Sequence, residues 1–127
     1  TVEMRSPDGS ADLYQLLAGL AVACRYGFEL PNALEIAANT YVNVNIHQEE
    51  NKDRLATLDQ LPDNCAASAE RLEQQRAIFE AHHVFSPSMI DGIIKKLKSY
   101  NDTTLREDLK KDQEGMLALV RRYFHCG

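Results

Sequence analysis

The feature that most constrains the fold is an apolar run, Leu13–Cys24, which predicts a helix with almost no polar face. One face carries the largest side chains, and alanine and valine fill most of the others. A helix that is apolar on nearly all sides is buried on several sides in a folded protein. The other helices that the sequence predicts are short and too few to surround it. We therefore expect this helix to pack against a further part of a larger protein.

Composition and charge narrow the class of protein. The chain has 127 residues, 44% hydrophobic and 26% charged, which is typical of one soluble globular domain. Its net charge of −5 argues against a nucleic-acid partner, because such a partner needs a basic surface. The apolar run is too short to span a bilayer, and the start of the sequence lacks the pattern of a secretory signal. We expect neither membrane association nor nucleic-acid binding.

The three cysteines, Cys24, Cys65 and Cys126, are far apart in sequence and form no Cys-x-x-Cys pair. This odd, scattered set favours reduced thiols over a disulfide framework or a zinc site, and it predicts a cytoplasmic location. Cys24 falls within the apolar run, which favours a small core residue over a nucleophile.

The opening residues predict a strand over 1–6, because Val2 and Met4 alternate with Glu3 and Arg5. The segment Ser6-Pro7-Asp8-Gly9 has the residues of a tight turn and ends the strand. We interpret the strand as the last one of a catalytic sheet whose other strands lie upstream of this chain. The rest, residues 10–127, is predicted to be a helical region.

Within that region, capping residues and apolar spacing predict five helices. The first begins at Ser10 or Asp12 and ends near Tyr26, before Gly27. The second helix is expected from Pro31 to about Thr40, and the third over Ala66–His82, after Asn64. The fourth is capped by Ser86 and has Pro87 at its first position. The fifth follows residues 102–104, with Thr104 and Glu107 as a capping box.

Apolar spacing also predicts the buried faces of the last two helices. The expected inner positions are Met89, Ile90, Ile93, Ile94, Leu97 and Tyr100 in the fourth, and Leu105, Leu109, Met116 and Val120 in the fifth, where Gly115 is an unexplained weak point. Between the helices, residues 41–46 are expected to be extended, and residues 48–63 form a solvated connection with one helical turn around Leu55 and Leu58.

Glu3 and Arg5 are the candidate site residues, because side chains two apart on a strand project from the same face. A carboxylate is a ligand suited to Mg2+ or Mn2+, and a guanidinium binds carboxylate or phosphate oxygens in a bidentate way. Together the two could hold a metal-phosphate substrate. The alternative is an ordinary solvated ion pair, which is common on protein surfaces.

Other polar groups give weaker signals. Glu80 and His83 have the Glu-x-x-His spacing of di-iron helical bundles, but such bundles need a second step and two more glutamates. His47 stands beside acidic residues in a solvated connection, and His125 with Cys126 supplies too few ligands for a closed metal site. The chain could also be a non-catalytic helical module that docks on a partner through its apolar faces.

Residues 2–21 resemble the glutamine synthetase family. The segment Val2-Glu3-Met4-Arg5-Ser6-Pro7-Asp8 is similar to its E-x-R-x-P-D pattern, which precedes small residues, an Asn-Pro-Tyr and an alanine- and leucine-rich helix. Looser likeness extends through residues 72–94 to the end of the chain, where the long tail looks most like the type III branch.

The resemblance implies a mainly α fold: the helical C-terminal segment of an α+β catalytic domain, with one short N-terminal strand from its sheet. It implies a glutamate-ammonia ligase that makes glutamine from glutamate, ammonia and ATP through γ-glutamyl phosphate. In such an enzyme Glu3 would be a ligand to one of two metal ions, Mg2+ or Mn2+, and Arg5 would contact glutamate or the transferred phosphoryl group. It also implies a large homo-oligomer, and an isolated 127-residue fragment is expected to be inactive.

Two departures from the family pattern matter. Asp12-Leu13-Tyr14 replaces Asn-Pro-Tyr, which keeps a capping residue and the tyrosine but loses the proline. Leu58-Asp59-Gln60-Leu61-Pro62 lacks the tyrosine that is adenylylated in type I enzymes, so this form of control is not expected. The amine acceptor stays open, since a γ-glutamyl ligase acting on another amine would share these features.

Overall fold

The chain is mainly helical, as predicted. The computed structural model describes residues 3–45, 48–51, 53 and 56–125. Short 3-10 helices occupy Glu49–Asn51 and Ala81–His83. The α-helices of the described ranges are α1 Leu13–Glu29, α2 Ala33–Thr40, α3 Cys65–Glu80, α4 Pro87–Lys98, α5 Leu105–Leu109 and α6 Gln113–Tyr123.

The strand predicted over residues 1–6 is not observed. Residues 3–6 have no regular secondary structure, and no strand occurs elsewhere in the described ranges; residues 1 and 2 lie outside them. A strand needs a partner whose N–H and C=O groups complete its ladder. No described segment offers that partner, so the alternation of side chains alone does not produce a strand here.

The core lies where α3 packs against α4. Ala69 of α3 is fully buried, which lets the two helices approach closely, and Ile90 and Ile94 of α4 fill the space beside it. Phe85, in the turn before α4, packs edge-on against Phe79 with 5.9 Å between ring centroids. The predicted inner face of α4 is confirmed at Ile90 and Ile94, which are buried, and at Ile93 and Leu97, which are half-buried. It is wrong at Met89 and Tyr100, which are exposed, and Tyr100 lies beyond the end of the helix.

The predicted start of α4 is also confirmed. Ser86 occupies the N-cap position with Pro87 at the first helical position, and Ser86 Oγ accepts a hydrogen bond from Met89 N–H at 3.2 Å. Helix α3 begins after Asn64, whose side chain accepts from Ala67 N–H at 2.7 Å. It ends at Glu80, two residues before the predicted end. There His82 and His83 adopt positive φ angles of 59° and 58°, and the chain turns back toward α4.

Arg76 ties the two core helices together. Its guanidinium donates to Glu73 and Glu80 on α3, at 3.0 and 2.9 Å, and to Asp91 on α4 at 2.9 Å. These hydrogen bonds, led by that to Glu80, raise the pKa of Arg76 above its already high usual value. The guanidinium therefore stays charged and forms ion pairs with carboxylates of both α3 and α4.

Helix α1 starts at the second of the two predicted caps. Asp12 accepts hydrogen bonds from Tyr14 N–H and Gln15 N–H, at 2.9 and 3.0 Å. The helix ends at Glu29, so the predicted end near Tyr26 is wrong: Gly27 lies within the helix. The stop is set by Pro31, which disfavours helical backbone at the preceding residue, and Leu30 is extended (φ −71°, ψ 127°).

Most of α1 is exposed. Val22 is its one buried residue and touches the core, whereas Leu13, Leu17 and Phe28 are 67%, 64% and 89% exposed. Cys24 is also exposed, so its interpretation as a core residue is wrong. The chain exposes 10786 Å², whereas a compact monomer of this mass exposes about 6,800 Å². Much apolar surface is unpartnered within the chain, and the expected packing of α1 against a further part of a larger protein stays a prediction.

The segments after α1 differ from the sequence prediction in detail. Pro31 lies in the turn before α2 rather than in its first turn, because the helix begins after Asn32. Residues 41–45 are irregular, and residue 46 lies outside the described ranges. In the stretch expected to form a helical turn, Asp53 and Ala56 are α-helical and Leu58 lies in a bend, and Leu55 is outside the described ranges.

The single helix predicted near the C-terminus is two helices, α5 and α6. Asp112 interrupts the run by capping α6, since its carboxylate accepts from Gly115 N–H at 2.9 Å. The predicted capping box at Thr104 is wrong: this side chain makes no cap and donates to Asp108 instead. The buried face predicted there is wrong at Met116 and Val120, which are exposed, whereas Leu105 and Leu109 are half-buried.

The Asp112 cap accounts for Gly115. A Cβ at this glycine would lie 2.8 Å from Asp112 Cγ, so a larger residue would displace the capping carboxylate. Gly115 interrupts the apolar pattern because the Asp112 carboxylate lies where a side chain at this position would be.

Asp102 connects this C-terminal part to the core. Its carboxylate accepts from Cys65 N–H at 2.7 Å and from Ala66 N–H at 3.2 Å, so a residue beyond α4 caps the start of α3. By contrast, no residue of α5 or α6 has its Cα within 8 Å of a Cα in α1–α4. The hydrogen bond from Cys65 N–H holds the pKa of Asp102 below its ordinary value of 3.8.

This depressed pKa predicts a pH-dependent contribution to stability. A carboxyl whose pKa is lower in the folded state contributes stability above its unfolded pKa, and that contribution is lost as the pH falls through the folded pKa. We therefore expect Asp102→Asn to destabilise the chain at about pH 6 and to have a smaller effect at about pH 2.5. Urea unfolding followed by circular dichroism would measure the difference. An equal effect at both pH values would contradict the carboxylate cap.

The Asp112 cap predicts opposite results for two glycines. Gly92 of α4 has open space where a Cβ would lie, so Gly92→Ala should stabilise its helix by about 0.5–1 kcal/mol. Gly115→Ala should not stabilise α6, because losing a cap costs about 0.5–2 kcal/mol. Amide hydrogen exchange in α4 and α6 would measure both. In an Asp112→Ala background Gly115→Ala should become stabilising, and equal protection gains at the two sites in the parent chain would refute the assignment.

Candidate functional site

The structure brings the two predicted site residues, Glu3 and Arg5, into direct contact. Arg5 Nε donates to Glu3 Oε1 at 2.8 Å and Arg5 Nη2 donates to Glu3 Oε2 at 3.2 Å, which is a bidentate pair. The two side chains are 84% (Arg5) and 69% (Glu3) exposed. The same-face prediction is confirmed in this sense, although residues 3–6 form no strand. By itself, this geometry is that of a solvated ion pair.

A rigid turn and a helix cap follow the pair. Asp8 accepts hydrogen bonds from Ser10 N–H, at 2.7 Å, and from the Ser10 hydroxyl, and Ala11 N–H donates to Asp8 O at 3.1 Å. The Ser10 hydroxyl and then its N–H lower the pKa of Asp8. The turn leads directly to the Asp12 cap of α1. Glu3 and Arg5 thus precede the longest helix by one turn of hydrogen-bonded chain.

Between the paired residues, Met4 reaches an apolar groove in the helical part. The groove lies between α1 on one side and α3, α4 and the turn before α4 on the other. Its lining includes Met4, Leu16, Gly19, Leu20, Ala23, Leu72, Phe79, Phe85, Ile90 and Ile93. The candidate site therefore lies over the hydrophobic core, with the two charged groups facing solvent above it.

The donor set can be compared with what a divalent metal requires. Mg2+ is bound by one or two carboxylates together with water and substrate phosphates. Glu3 is an accessible oxygen donor of the right kind, and no group of three or more His, Cys, Asp or Glu side chains that could hold a metal occurs in the described part of the chain. Glu3 therefore has the chemistry to supply one such ligand, and the described residues do not supply a complete set beside it.

The other polar groups named from the sequence do not join this site. Glu80 is bonded to Arg76, and His83 lies beyond the end of α3, so the Glu-x-x-His step is not on one helix. His125 packs edge-on against Phe124, with 5.1 Å between ring centroids. His47 and Cys126 lie outside the described residues. Burial, followed by the Asp102 carboxylate, raises the pKa of the Cys65 thiol, which disfavours the reactive thiolate.

Sequence reasoning missed the contribution of Met4. Its alternation with Glu3 and Arg5 indicates that it faces away from them, but the groove is formed by residues up to 89 positions later in the chain. It likewise missed Arg76, although Glu73 and Glu80 stand at the three- and four-residue spacings that place carboxylates beside it on a helix.

Comparison with known proteins gives a family assignment. The family model described as "Glutamine synthetase, catalytic domain" matches residues 1–113. No match is found among curated proteins or among solved structures. In the part of the chain that the structure describes, no helix is long and apolar enough to cross a membrane.

Proposed function

Because this chain belongs to the glutamine synthetase catalytic-domain family, we propose that it is part of an ATP-dependent ligase that joins glutamate and ammonia to make glutamine. Enzymes of the family use ATP and divalent metals. The proposed reaction transfers the γ-phosphoryl group of ATP to the side-chain carboxylate of glutamate, and ammonia then displaces phosphate from γ-glutamyl phosphate. The observation that carries this proposal is the family match over residues 1–113, which includes the Glu3-x-Arg5 pair.

In this proposal Glu3 is a metal ligand and Arg5 is the catalytic residue that contacts glutamate or the transferred phosphoryl group. A bound Mg2+ or Mn2+ ion would neutralise charge on that group. Arg5 supplies a fixed cation that stabilises the remaining charge as the phosphoryl group is transferred. Both side chains are exposed on the same side of the segment, which leaves them accessible to a substrate.

The observed pair is compatible with these roles because it is easily opened. Exposed ion pairs contribute about 0–1 kcal/mol to stability, since water screens the charges. A metal ion that binds one Glu3 oxygen, or a phosphoryl group that binds the Arg5 guanidinium, would therefore lose little free energy by breaking the ion pair. In this proposal the Glu3–Arg5 ion pair is the state without substrate, in which the carboxylate and the guanidinium lie side by side.

Finer assignments follow from the same membership. We assign the chain to the type III branch because of its long tail, and we propose a cytoplasmic homo-oligomer. Asp59 stands where the type I pattern has its modified tyrosine, so regulation by adenylylation is not part of the proposal. An enzyme that uses another amine in place of ammonia is the nearest alternative activity.

A non-catalytic docking module is the second candidate, and one observation favours it. Leu13, Leu17 and Phe28 expose a large apolar surface on α1, as a docking protein would. A truncated part of an enzyme would expose the same surface. The Glu3–Arg5 pair distinguishes the two, because a docking module does not require it.

We expect the 127-residue chain alone to make no glutamine. Of the described residues, Glu3 and Arg5 are those assigned to the proposed site, and no group of three or more possible metal ligands accompanies them. A γ-glutamyl transfer assay with ATP, glutamate and hydroxylamine would test this, with the Glu3→Ala chain as control. Activity above that control would show that the chain is sufficient for catalysis.

Substitution of either site residue in the longer enzyme that contains this segment should abolish turnover without unfolding it. Glu3→Gln removes the charge that binds the metal and Arg5→Lys removes the bidentate fork, so we expect kcat/KM to fall about 100-fold or more for each. Helical content and the melting temperature should stay unchanged, since the pair is exposed. Arg106→Lys, on exposed α5, is the matched control. Unchanged rates in Glu3→Gln and Arg5→Lys would leave the docking module as the better interpretation.

A further inference from the structure

We infer that Met4 is a positioning residue, which seats the Glu3–Arg5 pair on the helical core and so fixes the catalytic groups relative to α1, α3 and α4. This inference rests on the proposed function. It concerns how the pair is held rather than which chemistry the pair performs.

The first support is the direction of three successive side chains. The charged ends of Glu3 and Arg5 contact each other and are largely exposed. Met4, between them, lines the groove over the core and is 53% exposed. The segment thus has a polar side that faces solvent and an apolar side that faces the helices. We infer that Met4, on the apolar side, sets the position of the Glu3–Arg5 pair relative to the helices.

The second support is that little else holds the segment. Residues 3–6 have no regular secondary structure. The hydrogen bonds observed for the Glu3 and Arg5 side chains join them to each other, and the next one along the chain, from Ser10 N–H to Asp8, lies within the turn itself. Among the described residues of the segment, Met4 is therefore the one whose side chain lines the groove over the core. An unbranched thioether suits this role, because Met adapts to irregular apolar gaps.

The groove itself is suited to hold such a side chain. Gly19 removes bulk from the face of α1 that lines it, between the larger side chains of Leu16 and Leu20. On the opposite side Phe85 and Ile90 are buried core residues, so that wall is fixed by the packing of α3 against α4. Contact with these buried residues restricts the motion of a side chain that lies in the groove. Misplacing a catalytic group by about 1 Å can reduce a rate about 100-fold.

The test has two parts. In the 127-residue chain with methyl-labelled methionine, the Met4 methyl group should show nuclear Overhauser effects to Leu16, Leu20 or Phe85. In the longer enzyme, Met4→Gln should lower kcat about 10- to 100-fold and raise the Mg2+ concentration for half-maximal activity. Met4→Leu should restore most of both, and helical content should not change. Met116→Gln is the matched control, since Met116 is a methionine of similar exposure that lies outside the groove.

Each contrary result has a definite meaning. If the Met4 methyl group shows no contact with the groove, or if Met4→Gln leaves both kcat and the Mg2+ dependence unchanged while Glu3→Gln loses activity, the positioning role is overturned and the proposed function stands. A loss as large in Met116→Gln also overturns it. If Glu3→Gln and Arg5→Lys are fully active as well, the proposed function and the positioning role both fail.

Discussion

The close packing of α3 on α4 is the contact on which the rest of the structure depends. It requires a small residue at the crossing, and Ala69 is completely buried there against the larger side chains of Ile90 and Ile94. Arg76 reinforces the pair at its edge by joining carboxylates of both helices. The other elements join this pair or one another: α1 contacts it through Val22, α2 contacts α1, Met4 of the opening segment lines the groove over it, and Asp102, which precedes the C-terminal helices, caps the start of α3.

The attached elements are held by few contacts, and this bears on function. Helix α1 leaves Leu13 and Leu17 exposed, although its composition is that of a buried helix. A catalytic-domain family match over 113 residues gives this surface a context, because a catalytic sheet is absent from the described helical part. The exposed apolar face of α1 and the solvent-facing charged pair both lie within the residues that the family model matches.

Local signals in the sequence predicted the fold better than distant ones. The caps Asp12, Asn64 and Ser86 act within three residues, and each was predicted because a short polar side chain precedes an apolar run. The errors arose where two local signals competed or where the partner was remote. Pro31 overrode Gly27 in ending α1, and the cap at Asp112 divided a run that looked continuous. A strand could not be secured from four alternating residues, because its formation depends on neighbours.

The candidate site shows the same division. Two-residue spacing was enough to predict that Glu3 and Arg5 share a side, and the pair is observed. The support beneath it could not be predicted, because the groove joins residues of three helices that are far apart in sequence. Spacing also did not decide between a solvated pair and a catalytic one; the family match supplies the context in which the catalytic interpretation is preferred.

The attachment of Asp102 has a consequence for how the sequence can vary. Its two bonds go to main-chain amides of Cys65 and Ala66, which every residue except proline possesses. Substitutions at 65 and 66 would therefore preserve the link, whereas few replacements at 102 would. Among homologues, position 102 should accordingly favour a short side chain that accepts hydrogen bonds, with Asp the most stabilising, whereas the link itself sets no requirement on the side chains at 65 and 66 except that neither is proline.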